Sequence, residues 1–235
     1  FLIEFCTILA NEFYDYETDR INANFSIFTG GTRMLVEGRL SSSNVRTALV
    51  VSLCLTALLG SALLMINREA SPVLAAAMLL TGLFFGLGYT VPPLKFSYRG
   101  AGELVVSGTH SFYLILCGYA FQAGTLSNAL PWLLSLPLFF SVLGAITLAG
   151  LPDRPADSLV SKRTMAVIFG PRAAAFIACG CVALAALSGA LLFPSILRSG
   201  GIRTAGVVLI VVYAAVLLRA LSRVIRSRNY DRRIN

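Results

Sequence analysis

The chain has 235 residues, of which 57% are hydrophobic and 13% charged, with a formal net charge of +8. So apolar a composition excludes an ordinary soluble domain. The basic surplus is divided among separate loops instead of being gathered on one element, which argues against nucleic-acid binding.

In chain order, residues 1–10 are apolar but only about half a membrane span long, so they read as the second half of a cut helix. No signal-peptide layout is present. The polar run Asn11-Glu12-Phe13-Tyr14-Asp15-Tyr16-Glu17-Thr18-Asp19 follows. A long polar loop over residues 22–44 holds Gly30-Gly31-Thr32-Arg33. Apolar stretches at 45–66, 72–89, 104–121, 130–151, 173–193 and 205–225 are each close to the ~20 residues needed to cross a bilayer. Lipid cannot satisfy the backbone, and no period-2 alternation of the barrel kind is seen, so these stretches are predicted helices. The loop over 90–103 contains Pro92-Pro93, Lys95 and Tyr98-Arg99-Gly100, where proline and glycine end the preceding helix. A third loop is expected over 152–172, carrying Pro152-Asp153-Arg154-Pro155-Ala156-Asp157 and then Lys162-Arg163-Thr164. The tail is rich in arginine, at positions 219, 223, 226, 228, 232 and 233.

Arg20, Arg33, Arg39, Arg46, Lys95, Arg99, Arg154, Lys162, Arg163 and Arg172 fall in alternate connections, against Arg68, Arg198 and Arg203 in the others. The positive-inside rule then places both acidic clusters, the Lys95 loop and the tail on the cytoplasmic face of a plasma (inner) membrane. Residues 1–235 read as one all-α transmembrane bundle. A helix end bearing acids, followed by a basic residue beside threonine, occurs twice (Thr32-Arg33 and Arg163-Thr164), and the even number of intervening spans makes any such repeat parallel.

Asn11, Asp15 and Asp19 are four residues apart and share one helix face; Asp153 and Asp157 repeat that spacing. An isolated aspartate at a helix end simply faces water. Here the carboxylates crowd one another, with Glu12 and Glu17 beside them, and such crowding at a membrane surface costs energy unless a cation compensates. Oxygen ligands grouped in this way suit Mg²⁺ shared with a substrate phosphate, which points to diphosphate chemistry on a lipid-like substrate. A bound diphosphate also needs cations, and Arg33, Lys95, Lys162 and Arg163 are the candidates, although topology alone accounts for some basic residues. A membrane transporter with a cation path is the rival reading, but transporters bury their ionisable groups near the midplane. The five cysteines lie in apolar runs without a CxxC pair and read as small buried hydrophobes. His110 reads as a helix-packing residue and Glu4 as an acid approaching the central cavity. Tyr14, Tyr16 and Tyr98 read as an aromatic belt, whereas Tyr89, beside the Pro-Pro turn, is a candidate for facing a carbocation.

The run from Asn11 to Asp19 resembles the NDxxDxxxD signature of the UbiA-type intramembrane prenyltransferases, with Glu12 where the family often has Asp. Asp153 to Asp157, running into Lys162-Arg163-Thr164, resembles that family's second acidic motif, and Tyr89-Thr90-Val91-Pro92-Pro93-Leu94-Lys95 resembles the loop after its fourth helix. The resemblance implies nine helices arranged as two pseudo-repeated halves, with this chain beginning inside the second and ending after the eighth, so that the first and last are absent. It implies that Asn11, Asp15, Asp19, Asp153 and Asp157 hold Mg²⁺ against a polyprenyl diphosphate. Arg33, Lys95, Lys162 and Arg163 would neutralise the leaving group, and Tyr89 would stabilise the allylic cation or orient an aromatic acceptor. Gly30-Gly31-Thr32-Arg33-Met34-Leu35-Val36-Glu37-Gly38 is similar to the loop of the 1,4-dihydroxy-2-naphthoate polyprenyltransferases of menaquinone synthesis. That branch is the expectation; chlorophyll-type or tocopherol-type acceptors are the alternative.

Overall fold

The computed structural model describes residues 1–26, 29–196, 200–227 and 230. Arg198, Arg228, Arg232 and Arg233, assigned above to a loop and the tail, lie outside them. Nine α-helices are found among the described residues, beside a 3-10 turn at Phe96–Tyr98: α1 (Leu2–Tyr14), α2 (Tyr16–Ile21), α3 (Ser42–Ile66), α4 (Pro72–Gly88), α5 (Gly102–Ala123), α6 (Ala129–Leu159), α7 (Met165–Phe169), α8 (Pro171–Ile196) and α9 (Gly200–Ser227). α3, α5, α6, α8 and α9 are long and apolar enough to cross a membrane, and α4 is apolar but shorter, at 17 residues. The chain is therefore an all-helical membrane bundle, as its composition requires.

The helix starts follow from local chemistry. Ser41 accepts from the amide of Asn44 at 3.1 Å, and Ser71 accepts from that of Leu74 at 3.2 Å with Pro72 in the first turn. Asn128 caps α6 through the amide of Leu130. Each cap satisfies an amide that the helix itself cannot. α1, α3 and α4 pack together on one side, α6, α8 and α9 on the other, and α5 touches both groups. Small residues set the spacing between α6 and α8: Ala174, Ala175 and Ala178 are wholly buried, and Gly144 lies against Ala178 and Cys181. Close approach of backbones supplies the van der Waals contact that drives helix association in lipid. Leu58, Leu80, Leu114, Leu191 and Leu209 remain exposed, as lipid-facing side chains do.

Two local expectations are corrected. Residues 152–172 do not form a single loop. α6 continues to Leu159 through Pro152 and Pro155, and α7 forms beyond it. Each proline removes the amide that would bond the carbonyl four residues back, that of Leu148 or Leu151; the helix end is held instead by side-chain bonds, Asn24 Nδ2 to Pro152 O at 3.2 Å and Ser158 Oγ to Pro155 O at 2.8 Å. The second correction is that the Asn11–Asp19 run is not one helix. It breaks at Asp15, whose φ is −96° and ψ 6°.

Candidate active site

The break at Asp15 leaves the acidic stripe intact. The Asp15 amide still bonds Asn11 O at 2.8 Å, and the Asp19 amide bonds Asp15 O at 2.9 Å, so four-residue spacing persists across the junction of α1 and α2. Asp15 and Asp19 are buried, and so is Asp157 on α6. All three face one cavity of about 390 Å³, together with Asn11, Asp153, Tyr89 and Glu103. Lys162 joins the two clusters. Its ammonium lies 2.8 Å from Asp15 Oδ2 and 3.9 Å from Asp157 Oδ1. Asn22 Nδ2 donates to Asp153 Oδ1 at 2.8 Å, tying the end of α2 to α6.

Among the described residues five carboxylates, those of Asp15, Asp19, Glu103, Asp153 and Asp157, line the cavity against the single ammonium of Lys162. Burial disfavours charge on Lys162, yet Asp15 and Asp157 hold its pKa above the ordinary lysine value. Asp19 is pushed up to about 7, first by burial and then by the neighbouring Asp15 and Glu12, against the pull of Lys162 and Arg33. The Tyr98 hydroxyl donates to Asp15 Oδ1 at 2.9 Å, and its pKa is raised to about 12 by burial and by Asp15. The arrangement is thus short of positive charge.

No three His, Cys, Asp or Glu side chains converge into a ready-made metal cage among the described residues. The donor set nevertheless fits Mg²⁺. Asn11 Oδ1 and Glu103 Oε2 are buried without a hydrogen-bond partner among the described residues, and both side chains line the cavity. Mg²⁺ takes hard oxygen donors, keeps several waters and is usually shared with phosphate, so an all-protein cage is not required.

Of the residues singled out from sequence, Asn11, Asp15, Asp19, Tyr89, Asp153, Asp157 and Lys162 line this cavity, whereas Arg33, Lys95 and Arg163 do not. Arg33 is buried, stacks at 3.9 Å on Phe25 and donates to the carbonyl of Asp19, so it supports the site from behind. Lys95 Nζ lies 4.1 Å over the Tyr98 ring, and Arg163 is exposed. Sequence reasoning missed Tyr98, Asn22 and Glu103. Glu103 was the most findable, as an acid in the first turn of an apolar helix; Tyr98 carried no signal apart from its neighbours. Glu12 also gains a definite place: it accepts from Thr32 Oγ1 and from the Leu35 amide, fastening the glycine loop to α1. Gly31 adopts φ +72°, and a Cβ there would lie 3.2 Å from Asp19 Oδ2, so glycine lets the loop pass over that carboxylate.

The chain matches the UbiA prenyltransferase family over residues 1–234 and belongs to it. Members of that family transfer prenyl groups from prenyl diphosphates to aromatic acceptors and generally use Mg²⁺. Neither the curated proteins nor the solved structures compared with the chain gave a match.

Proposed function

We propose that this member of the UbiA prenyltransferase family moves a polyprenyl group from its diphosphate to a quinone precursor, 1,4-dihydroxy-2-naphthoate, at the cavity between α1 and α6. The observation that carries the reading is the Lys162 ammonium held between Asp15 and Asp157 in a cavity whose other charged lining groups are carboxylates. The choice of acceptor rests on the likeness of the loop from Gly30 to Gly38 to that branch. The basic residues Arg20, Arg33, Lys95, Arg99, Lys162 and Arg163 gather in the connections at the acidic end, which supports a cytoplasm-facing site in the plasma membrane.

Asn11, Asp15, Asp19, Asp153 and Asp157 would hold Mg²⁺, which when bound supplies Lewis-acid stabilisation of the departing diphosphate. Lys162 places a fixed positive charge where negative charge develops as the allylic C–O bond breaks, an electrostatic aid that is strongest in a water-poor site. Tyr98 and Asp15 orient that ammonium: the phenol occupies one carboxylate oxygen and the lysine the other. Tyr89 offers its ring face to the allylic cation. Arg33 and Glu12 hold the glycine loop and the Asp19 backbone in register. Lys95 and Arg163 act from outside the cavity lining, Lys95 against the ring of Tyr98. Apolar helix walls keep water from the cation.

The test is an assay of the native full-length protein in lipid nanodiscs, with labelled prenyl diphosphates of several lengths and a panel of acceptors, with and without Mg²⁺. The expected result is Mg²⁺-dependent prenylation of 1,4-dihydroxy-2-naphthoate. Transfer confined to other acceptors would overturn the branch, and transfer to none would overturn the function.

A further inference from the structure

Beneath the acidic cavity a second pair of ionisable side chains meets across the bundle. Glu4 lies seven residues before Asn11 and eleven before Asp15, on the same stripe of α1. His110 lies seven residues after Glu103 on α5. Seven residues of helix rise about 10 Å, so both sit two turns below the carboxylates that line the cavity. His110 Nε2 is 3.7 Å from Glu4 Oε1, and both side chains are at least half exposed, so neither is closed off by packing. The opposite face of α5, with Leu104, Val105 and Phe112, lines a separate apolar cavity. His110 is therefore on the side of α5 that carries Glu103.

The imidazole is oriented. Nδ1 lies 3.0 Å from Val106 O and 3.3 Å from Thr109 Oγ1, while the Thr109 hydroxyl bonds Val105 O at 2.8 Å. A neutral ring carries its proton on Nδ1, toward Val106 O, and leaves the Nε2 lone pair for another group. His110 belongs to the π-helical turn Thr109–Tyr113, a kind of distortion that recurs at functional sites. An ionisable pair within a membrane bundle is costly and calls for a use. The other titratable groups nearby are the Phe1 ammonium, whose field reaches Cys117, Cys6 on α1, Arg46 and Cys54 on α3, and Glu103, Tyr113 and Cys117 on α5; α4 carries none, and α6 carries its own at the acidic end.

We infer that His110 and Glu4 form the acceptor-side acid–base pair of the transfer reaction, and that the acceptor is a hydroxyarene whose O–H binds His110 Nε2. The inference rests on the proposed prenyl transfer and names the group that activates its nucleophile. The allylic C–O bond breaks and its electron pair leaves on the diphosphate. The ring carbon ortho to the hydroxyl supplies the pair for the new C–C bond, while the hydroxyl proton passes to Nε2. The imidazolium then lies beside the Glu4 carboxylate. The group displaced from the ring carbon departs as a proton, taken by the released diphosphate, or, from a carboxylated carbon, as carbon dioxide; Nε2 returns its proton to oxygen as aromaticity is restored. The depth of the pair suits an acceptor ring lying under an allylic carbon whose diphosphate is held above. His110 is the catalytic residue, and Glu4 is a positioning residue.

The test compares the hydroxyarene acceptor with its methyl ether in wild-type, His110→Ala and Glu4→Gln full-length protein, measuring kcat/KM and, separately, the Kd for prenyl diphosphate with Mg²⁺. Wild type should lose at least about 100-fold on the ether, the usual range for a lost general base. His110→Ala should lose a similar factor on the hydroxyl substrate, show less than about a threefold further penalty on the ether, and regain part of its rate with added imidazole. Glu4→Gln should fall between the two. Prenyl diphosphate affinity should be unchanged in both variants. An equal ether penalty in wild type and His110→Ala, or near wild-type transfer by that variant, overturns the pair alone. Loss of prenyl diphosphate binding in both variants would make the pair a packing contact and also overturn it. A wild-type protein that prenylates no hydroxyarene overturns the pair and the proposed function together.

Discussion

Two cavities share the walls of α5 and differ in chemistry more than in size. One, of about 390 Å³, is lined by Asn11, Asp15, Asp19, Asp153, Asp157 and Lys162; the other, of about 450 Å³, is lined by Met78, Phe85, Val105, Phe112 and Trp132. Adjacent residues divide between them: Gly102 and Glu103 belong to the first, Ala101 and Leu104 to the second. Volume therefore does not mark the site. What marks it is the cost of keeping five carboxylates around one ammonium, a cost that a cation and a bound diphosphate would relieve. The apolar cavity carries no such unbalanced charge and asks only to be filled.

The sharpest way to break this contrast is to remove a charge from the polar side. Asp15→Ala and Asp157→Ala should each lower prenyl transfer by about 10³-fold or more, because in the proposed mechanism each removes an oxygen ligand, and each leaves Lys162 mispaired; near-normal turnover in either variant would deny its role. Chelation of Mg²⁺ should abolish transfer in the wild type, with full recovery on adding the ion back, followed by product chromatography. Lys162→Met should cost about 10²-fold in kcat with a smaller change in KM, since in the proposed mechanism its charge acts mainly on the departing diphosphate. Tyr98→Phe deletes one hydrogen bond to Asp15 and should cost about tenfold. On the apolar side, Gly108→Ala meets open space and a helical φ. It should leave transfer within about twofold and raise stability by up to about 1 kcal/mol, read as a small increase in Tm.

The spans were legible because lipid imposes length and hydropathy on each helix independently of the others. The starts at Ser41, Ser71 and Asn128 are also set locally, by side-chain caps, although hydropathy alone began the first of these spans at residue 45. The acidic stripe was legible for the same reason: four-residue spacing is a property of one turn, and it survives even the break at Asp15. Glycine at position 31 was visible as a loop residue, but its purpose, clearance beside Asp19 Oδ2, was not. The extent of α6 was misread at Pro152, because proline reads as a stop signal, while the bonds that hold this helix end, Asn24 to Pro152 O and Asn22 to Asp153 Oδ1, come from elsewhere in the chain.

From sequence alone came an all-helical membrane chain, two acid-bearing helix ends and the residue types suited to Mg²⁺ and diphosphate. These depend on periodicity and on side-chain chemistry, both of which are written locally. Only tertiary structure decided which cations reach the cavity. Lys162 meets Asp15 and Asp157, whereas Arg33 is turned to a backbone carbonyl, Lys95 to an aromatic face and Arg163 outward. It also decided that Tyr98 belongs to Asp15 and that Glu4 meets His110. Such pairings join residues on different helices, and their distances are set by how small residues let those helices approach, which no single segment of the chain encodes.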